Sequence, residues 1–239
     1  MSDFTGTWFI TGASRGIGLE MTKQLLTSPT ATVFALCRSP ATATGLHTLK
    51  LSAGIKGTLH IVQLDVADAA SIESGAKEVL KLLNGKGLDY VINNAGIAFG
   101  ADFAFNFSPE DLLKCMTSNV IGPALISRAL YPAIEKSTRK VVVNITSGLA
   151  SIQNDHGPKA TSYSISKYAL NMLTYKQARE KPDLIAFVVD PGRVKTDLGG
   201  PGAVLEPHES VFGILKHVSG ATPDCAGRFF GYRGNEIPR

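Results

Sequence analysis

The chain has 239 residues, of which 44% are hydrophobic and 18% are charged, so it has enough apolar material for a core and lacks the composition of a disordered protein. Its net charge of +4 is scattered along the sequence, which argues against a nucleic-acid-binding surface. No segment has the length and apolar character of a signal peptide or a membrane span, so by default we expect a cytoplasmic protein without a membrane or nucleic-acid partner.

Strand-like apolar runs recur along the whole chain, with helical patterns between them. The seven runs cover residues 7–11, 32–37, 59–65, 88–94, 140–147, 184–190 and 227–232. Most of them are continuously apolar, which is typical of parallel strands covered by helices on both faces. Helical spacing of apolar residues covers 16–26, 68–83, 108–134 and 162–180, and several of these segments begin with a Ser or Asp that can cap a helix. The sequence therefore predicts one α/β domain over residues 1–239 with a doubly wound, seven-stranded parallel sheet.

The first predicted strand runs directly into the glycine-rich segment TGASRGIG at 11–18, and a predicted helix follows. Glycines at 12, 16 and 18 allow a tight turn, close approach of backbone N–H groups to a pyrophosphate, and close packing of the helix on the strand. The helix N-terminus then faces the anion. The spacing differs from G-x-G-x-x-G, so a simple structural turn is the alternative. The position of the segment at the start of an alternating chain favours dinucleotide binding.

The end of the second predicted strand carries Cys37 and Arg38 where NAD-binding proteins carry an acidic residue. A carboxylate repels the 2′-phosphate of NADP, whereas a guanidinium pairs with it through a two-pronged contact. Arg15, inside the glycine-rich segment, adds a second cation. Each arginine alone is equally well explained as a solvated surface residue. Together they favour NADPH over NADH.

Tyr163 and Lys167 lie four residues apart in the predicted helix 162–180, and side chains at this spacing share one face. A free phenol has a pKa near ~10, so about one molecule in a thousand is ionised at neutral pH. A cation about 4 Å away, at an effective dielectric constant near ~20, favours the phenolate by roughly 4 kcal/mol, or about three pKa units. We therefore expect Lys167 to lower the pKa of Tyr163 toward neutral pH. The alternative for this segment alone is an ordinary amphipathic helix with an exposed lysine.

Six short motifs occur in a fixed order on the predicted elements. They are TGxxxGxG at 11–18, NNAG at 93–96, Asn119 in a long helix, Ser147 after the fifth strand, YxxxK at 163–167 and PG at 191–192. From Thr11 to the carboxyl terminus, the chain resembles the short-chain dehydrogenases/reductases, and its ending FFGYRGNEIP resembles that of carbonyl reductases of the sniffer and C-factor type. The resemblance implies a single-domain Rossmann fold.

The resemblance also implies a role for each matching residue. Asn119, Ser147, Tyr163 and Lys167 match the catalytic tetrad. The positions implied for cofactor binding are Gly12, Ser14, Arg15, Gly16, Ile17, Gly18, Arg38, Asp65, Val66, Asn93, Ala95, Gly96, Tyr163, Lys167, Pro191, Gly192, Val194 and Thr196. Lys167 is expected to bond the ribose, and Asn119 to hold a water that feeds protons to that lysine. No metal is expected, because no histidine or cysteine has a partner at ligand spacing.

These features predict an NADPH-dependent oxidoreductase that reduces an aldehyde or ketone, with Tyr163 donating the proton and Ser147 fixing the carbonyl oxygen. An NAD-dependent alcohol or hydroxyacyl dehydrogenase is the second reading, and Arg38 argues against it. A dinucleotide sensor without chemistry is the third, and a complete tetrad argues against that.

The substrate and the oligomeric state are less constrained by the sequence. The segments expected to line the pocket are 97–107, 148–159 and 199–207, which carry four phenylalanines and few charges. A mainly apolar carbonyl compound is therefore expected. His156 is a candidate substrate contact or a solvated loop residue, and Asp197 is expected at the surface. Pairing into a homo-oligomer through 108–136 and 161–180 stays open.

Overall fold

Seven parallel strands form one sheet in residues 4–239, the part of the chain that the computed structural model describes. The strands are β1 Gly6–Thr11, β2 Ala31–Cys37, β3 Thr58–Gln63, β4 Tyr90–Asn93, β5 Val141–Ile145, β6 Ile185–Asp190 and β7 Phe229–Gly231. Their order is β3-β2-β1-β4-β5-β6-β7, and every neighbouring pair is parallel. The predicted seven-stranded parallel sheet is confirmed, and each predicted run overlaps the strand that it named.

Helices cover both faces of this sheet. They are α1 Gly16–Leu25, α2 Thr44–Lys50, α3 Ala69–Leu83, α4 Pro109–Met116, α5 Gly122–Ile134, α6 Thr161–Glu180 and α7 Pro207–Ser219. One apolar core joins the sheet to α1, α2 and α7, and a second core joins its other face to α3, α5 and α6. This is the doubly wound Rossmann arrangement that was predicted. The short helix α2 was not predicted from the sequence, because only seven residues carry its pattern.

The predicted helix 108–134 is in fact interrupted. A π-helical turn at Thr117–Ile121 separates α4 from α5, and Gly122 N–H donates to Thr117 O, five residues back. Pro123 explains the interruption, since proline has no N–H to donate to the carbonyl of Asn119 four residues earlier. The chain also packs tightly here, because a Cβ on Gly122 would lie 2.4 Å from Val66 O.

Two of the predicted N-caps are present. Asp68 accepts hydrogen bonds from the backbone of Ala70 and Ser71 at the start of α3, and Ser108 accepts one from Asp111 N–H at the start of α4. Among residues 4–239, no helix is long and apolar enough to cross a membrane.

The order of the strands reverses between β1 and β4, so the loops that follow these two strands turn away from each other. Ligands of open α/β sheets bind in the crevice that such a reversal opens at the carboxyl ends of the strands. Thr11 at the end of β1 fixes the two loops, because its Oγ1 accepts hydrogen bonds from the backbone N–H groups of Asn94 and Ala95, each at 3.0 Å. The side chain of Asn94 donates in return to Thr11 O at 2.9 Å.

Candidate active site

The glycine-rich turn after β1 adopts a backbone that other residues do not fit. Gly12 has φ +65° and Gly16 has φ +54°, both in the left-handed region that favours glycine. A Cβ on Gly18 would lie 2.4 Å from Gly12 O, so the start of α1 packs directly on the turn. These glycines bring the backbone N–H groups at the helix N-terminus to the edge of the crevice, where they can bind a phosphate.

A cavity of about 1110 Å³ follows this crevice. Most of the residues that the resemblance implies for the cofactor line it. They are Gly12, Ser14, Arg15, Gly16, Ile17, Arg38, Asp65, Val66, Ala95, Gly96, Tyr163, Lys167, Pro191 and Thr196. Side chains of Phe99 and Leu113 extend the lining beyond this set. The cavity therefore connects the glycine-rich turn with the YxxxK segment, which are about 150 residues apart in the sequence.

Four of the expected cofactor positions do not line the cavity: Gly18, Asn93, Gly192 and Val194. Asn93 is 2% exposed, and its amide donates to Asn144 Oδ1 at 2.7 Å between neighbouring strands. Asn144 in turn donates to Thr174 Oγ1 at 2.7 Å, which ties the sheet to α6. Asn93 thus supports the sheet under the site, and its assignment to cofactor binding stays a prediction.

The two arginines lie at the mouth of the cavity. Arg38 is exposed at the end of β2, and the guanidinium of Arg15 lies 3.8 Å from the carboxylate of Asp197 on the opposite wall. Both partners of this ion pair are largely exposed, so the pair is weak. Asp197 is exposed, as expected, and its charge lies near a cation that was expected to bind phosphate.

Tyr163 and Lys167 face the same end of the cavity, one turn apart on α6. The ammonium of Lys167 lies 5.6 Å from the centre of the Tyr163 ring and donates to Ile145 O at 2.8 Å. Lys167 is only 3% exposed, which is rare for a lysine. The two side chains therefore share one site, as the spacing of four residues predicted.

The expected effect of Lys167 on the phenol needs correction. Burial raises the pKa of Tyr163, the negative charge of Asp190 raises it further, and only a hydrogen bond with Ser147 opposes the rise. Burial also lowers the pKa of Lys167, to about 8. The predicted lowering of the Tyr163 pKa assumed a fully charged Lys167 and ignored the free-energy cost of transferring a charged group from water into the protein interior. In the free protein, Tyr163 is therefore a protonated phenol at neutral pH.

Asn119 occupies the π-helical turn and is fully buried. Its side-chain oxygen accepts from Ile97 N–H at 2.9 Å, while its amide nitrogen donates to Ile97 O at 2.9 Å and to Ser166 Oγ at 3.0 Å. A Cβ on Gly96 would lie 3.3 Å from the Asn119 oxygen and 3.4 Å from the Lys167 ammonium, so a side chain there would disturb both. Asn119 thus fixes the loop after β4 against α6.

Sequence reasoning missed Asp190, which lies close to Tyr163. It is the last residue of β6, and its Oδ1 accepts from Gly192 N–H at 3.1 Å. Burial raises its pKa, and hydrogen bonds from the backbone of Gly192 and Gly148 oppose the rise. The position of Asp190 in the sequence could have indicated it, because Asp190 precedes the PG motif at the carboxyl end of a predicted strand, where ligands of this fold bind.

His156 lies near Asp190. A Cβ on Gly148 would be 3.2 Å from His156 Nε2 and 3.4 Å from Asp190 Oδ2, so a side chain at this position would crowd both groups. His156 is exposed, as expected of a solvated loop residue, and it lies beside Gly148, which directly follows Ser147, so its role as a substrate contact stays a prediction.

Comparison with known proteins settles the family. The family model described as short chain dehydrogenase matches residues 7–202. The chain belongs to the short-chain dehydrogenase family. The resemblance inferred from the six motifs is thereby confirmed.

Solved structures place this short-chain dehydrogenase near carbonyl reductases. The NADPH-bound carbonyl reductase from chicken fatty liver has a TM-score of 0.90 at 36% identity, over 98% of this chain and 99% of the other. The carbonyl reductase Sniffer of D. melanogaster has a TM-score of 0.91 at 27% identity, over 98% and 100%. Among curated sequences, the norsolorinic acid ketoreductase of Aspergillus parasiticus is 32% identical over 247 residues, which is 97% of this chain and 90% of the relative.

Proposed function

We propose that this short-chain dehydrogenase uses NADPH to reduce an aldehyde or ketone to the alcohol. The observation that carries the proposal is one cavity with a glycine-rich anion site and two arginines at its mouth, and with the half-buried Tyr163 and the buried Lys167 at its inner end. The chicken carbonyl reductase, which shares the fold at 36% identity, binds NADPH, and this supports the choice of cofactor.

The residues at the mouth fit NADPH for three reasons. The backbone at the N-terminus of α1 offers N–H donors to the pyrophosphate. The guanidinium groups of Arg15 and Arg38 match the 2′-phosphate, which NADH lacks. Asp65 and Val66 line the same cavity, and we assign them to the adenine end, as the family resemblance implies.

NADPH supplies a hydride to the carbonyl carbon, and the residues of the chain supply the proton and the orientation. The hydroxyl of Ser147 donates a hydrogen bond to the carbonyl oxygen and holds it next to Tyr163. The O–H bond of Tyr163 breaks as the oxygen takes its proton, so the carbonyl gains one hydride and one proton and becomes an alcohol. Tyr163 is left as a phenolate, which the Lys167 ammonium stabilises.

The raised pKa of Tyr163 fits this direction of reaction. A proton donor must be protonated before the reaction, and burial keeps the phenol in that form throughout the neutral range. The reverse reaction, oxidation of an alcohol, needs the phenolate and is therefore favoured at high pH.

Proton resupply runs through Lys167 and the turn at Asn119. The pKa of Lys167, lowered to about 8 by burial, is close enough to neutral pH for the amine to accept and pass on a proton. Both N–H groups of the Asn119 amide already donate, to Ile97 O and to Ser166 Oγ, and its oxygen accepts from Ile97 N–H. Its backbone carbonyl, which Pro123 cannot bond, is the atom left to hold the water that the family resemblance implies.

The substrate that we propose is an apolar carbonyl compound. Phe99 and Leu113 line the cavity, and Phe103 and Phe105 are exposed in the adjoining part of the segment 97–107. Aromatic and aliphatic side chains of this kind bury apolar ligand surface, while Ser147 and Tyr163 orient the single polar group.

A carbonyl panel tests this function directly. Purified protein is incubated with NADPH or NADH at equal concentration and with aromatic ketones, aliphatic aldehydes and quinones, while oxidation of the cofactor is followed by absorbance. The proposal predicts turnover with NADPH and formation of the alcohol. Faster turnover with NADH would favour the NAD-dependent dehydrogenase, and tight binding of NADPH without oxidation across the panel would favour the sensor.

A further inference from the structure

The loop after β4 is bonded to the first turn of α6, the helix that carries Tyr163, through the carboxylate of Asp102. Asp102 lies in the segment 97–107, and its Oδ2 accepts a hydrogen bond from Ser162 N–H at 3.1 Å and another from the Ser162 hydroxyl. The backbone joins them as well, since Thr161 N–H donates to Asp102 O at 3.4 Å. The first two residues of α6 are therefore bonded to a residue about 60 positions earlier in the chain.

This contact replaces the N-cap that α6 lacks. The residue before the helix is Ala160, which has φ +60° and no side chain to accept a hydrogen bond. In α3 the same task is performed by the preceding residue, Asp68. At α6, the carboxylate of Asp102 satisfies a free N–H group of the first turn and places a negative charge at the positive end of the helix.

The other oxygen of Asp102 indicates that the residue does more than cap a helix. Its Oδ1 is buried and has no hydrogen-bond partner among the described residues. A buried carboxylate oxygen without a partner is costly, so an exposed cap such as Asp68 would serve stability better. The arrangement lowers stability, but it keeps the loop after β4 bonded to the first turn of α6.

The position of the attachment connects two parts of the site. Ser162 directly precedes Tyr163, and Asp102 lies three residues after Phe99, which lines the cavity. The contact therefore sets the distance between the apolar wall that receives the substrate and the phenol that protonates it. Residues 94–99 form neither helix nor strand, so this segment has no regular structure of its own to keep Phe99 in place.

We propose that Asp102 is a positioning residue for carbonyl reduction, holding the first turn of α6 and the Phe99 segment in one fixed arrangement. The effect of Asp102 on turnover rests on the proposed function, whereas its effect on the structure rests on the hydrogen bonds alone. It involves no contact between Asp102 and the substrate or the cofactor.

Two variants of Asp102 separate its contributions. Asp102→Ala removes the acceptor, and we expect kcat to fall about 10- to 100-fold with a raised KM for the carbonyl substrate, since small displacements of a catalytic group have effects of this size. Affinity for NADPH should stay within about twofold, because the glycine-rich turn and the two arginines at the mouth of the cavity are unchanged. Asp102→Asn keeps an oxygen that accepts from Ser162 N–H, and it should restore kcat to within about threefold of wild type.

Asp68→Ala is the matched control, since it removes the N-cap of α3, a helix that does not carry Tyr163 or Lys167. Each alanine variant should lower the melting temperature by about 2–4 °C, the value for a lost cap in a chain of this size. Only Asp102→Ala should lower kcat. Equal kcat in the two alanine variants, or no rescue by asparagine, would overturn the positioning role.

Amide hydrogen exchange tests the attachment of α6 to Asp102 without relying on turnover. Peptides that cover 161–165 should exchange at least tenfold faster in Asp102→Ala than in wild type, whether or not a substrate has been found. Unchanged exchange would overturn the attachment itself. A wild-type protein that reduces no carbonyl compound would refute the proposed function, and the exchange result would still decide the structural part of the inference.

Discussion

Replacing Arg38 should weaken binding of NADPH while leaving that of NADH almost unchanged. Arg38 is exposed at the end of β2, at the mouth of the cavity, where an acidic residue would select NADH. A hydrogen bond between a guanidinium and an ionised phosphate contributes about 1.5–3 kcal/mol, which corresponds to about a 10- to 150-fold change in affinity. Arg38→Ala should therefore raise the Kd of NADPH by a factor in this range.

The second cation at the mouth provides an internal check. Arg15 is held 3.8 Å from Asp197, and this exposed pair must separate when a phosphate binds to the guanidinium. Exposed ion pairs contribute between about 0 and 1 kcal/mol, so Asp197→Asn should strengthen NADPH binding by no more than about fivefold. Arg38→Ala and Asp197→Asn thus change the affinity in opposite directions.

Titration of the two cofactors by fluorescence, at fixed ionic strength, measures these effects. Arg179→Ala is the matched control, because Arg179 is an exposed arginine near the end of α6 and does not line the cavity. It should leave both affinities unchanged. A loss of affinity in Arg38→Ala that is equal for NADPH and NADH would refute the assignment of Arg38 to the 2′-phosphate.

Two further predictions concern stability and folding. Burial lowers the pKa of Lys167 from 10.5 to about 8, a penalty of roughly 3 kcal/mol for keeping this lysine charged. Between these two values the unfolded chain holds a proton that the folded chain has released, so the contribution of Lys167 to stability should rise with pH in that window, against the opposite contribution of the buried Cys37 and Cys115 thiols. In urea unfolding, the stability of wild type relative to Lys167→Met should therefore rise with pH, whereas its stability relative to the exposed Lys176→Met should stay constant. A constant difference between wild type and Lys167→Met would contradict the pKa shift. Gly18→Ala would place a Cβ 2.4 Å from Gly12 O, so it should abolish NADPH binding in calorimetry, whereas Gly54→Ala, whose nearest neighbour atom is 3.8 Å away, should bind normally.

Much of the fold and of the site could be predicted because local patterns determine them. Continuous apolar runs such as β5, which is buried at every position, identify strands covered on both faces. The spacing of four between Tyr163 and Lys167 requires only that the segment be helical. The glycines at 12 and 16 indicate a turn, because the turn needs a left-handed backbone conformation that glycine adopts readily.

What could not be predicted depends on the environment of single groups. The pKa of Tyr163 rises rather than falls because burial outweighs a neighbouring cation that is itself buried, and burial is a property of the folded chain. The cap on α6 comes from Asp102, about 60 residues earlier, so no local pattern indicates it. The partner of Asn93 could not be predicted from the sequence either, because its hydrogen bond to Asn144 joins residues about 50 positions apart.

Single-turnover reduction by Tyr163→Phe tests the central claim most directly, because this change removes one hydroxyl and keeps the ring. The experiment mixes enzyme and saturating NADPH with a carbonyl compound that the wild-type protein reduces, after NADPH affinity has been measured for both proteins. We predict unchanged NADPH affinity and a rate lowered by about 10²- to 10⁴-fold, the contribution of a positioned proton donor. A variant that binds NADPH normally and keeps more than a tenth of the wild-type rate would show that the proton comes from another group.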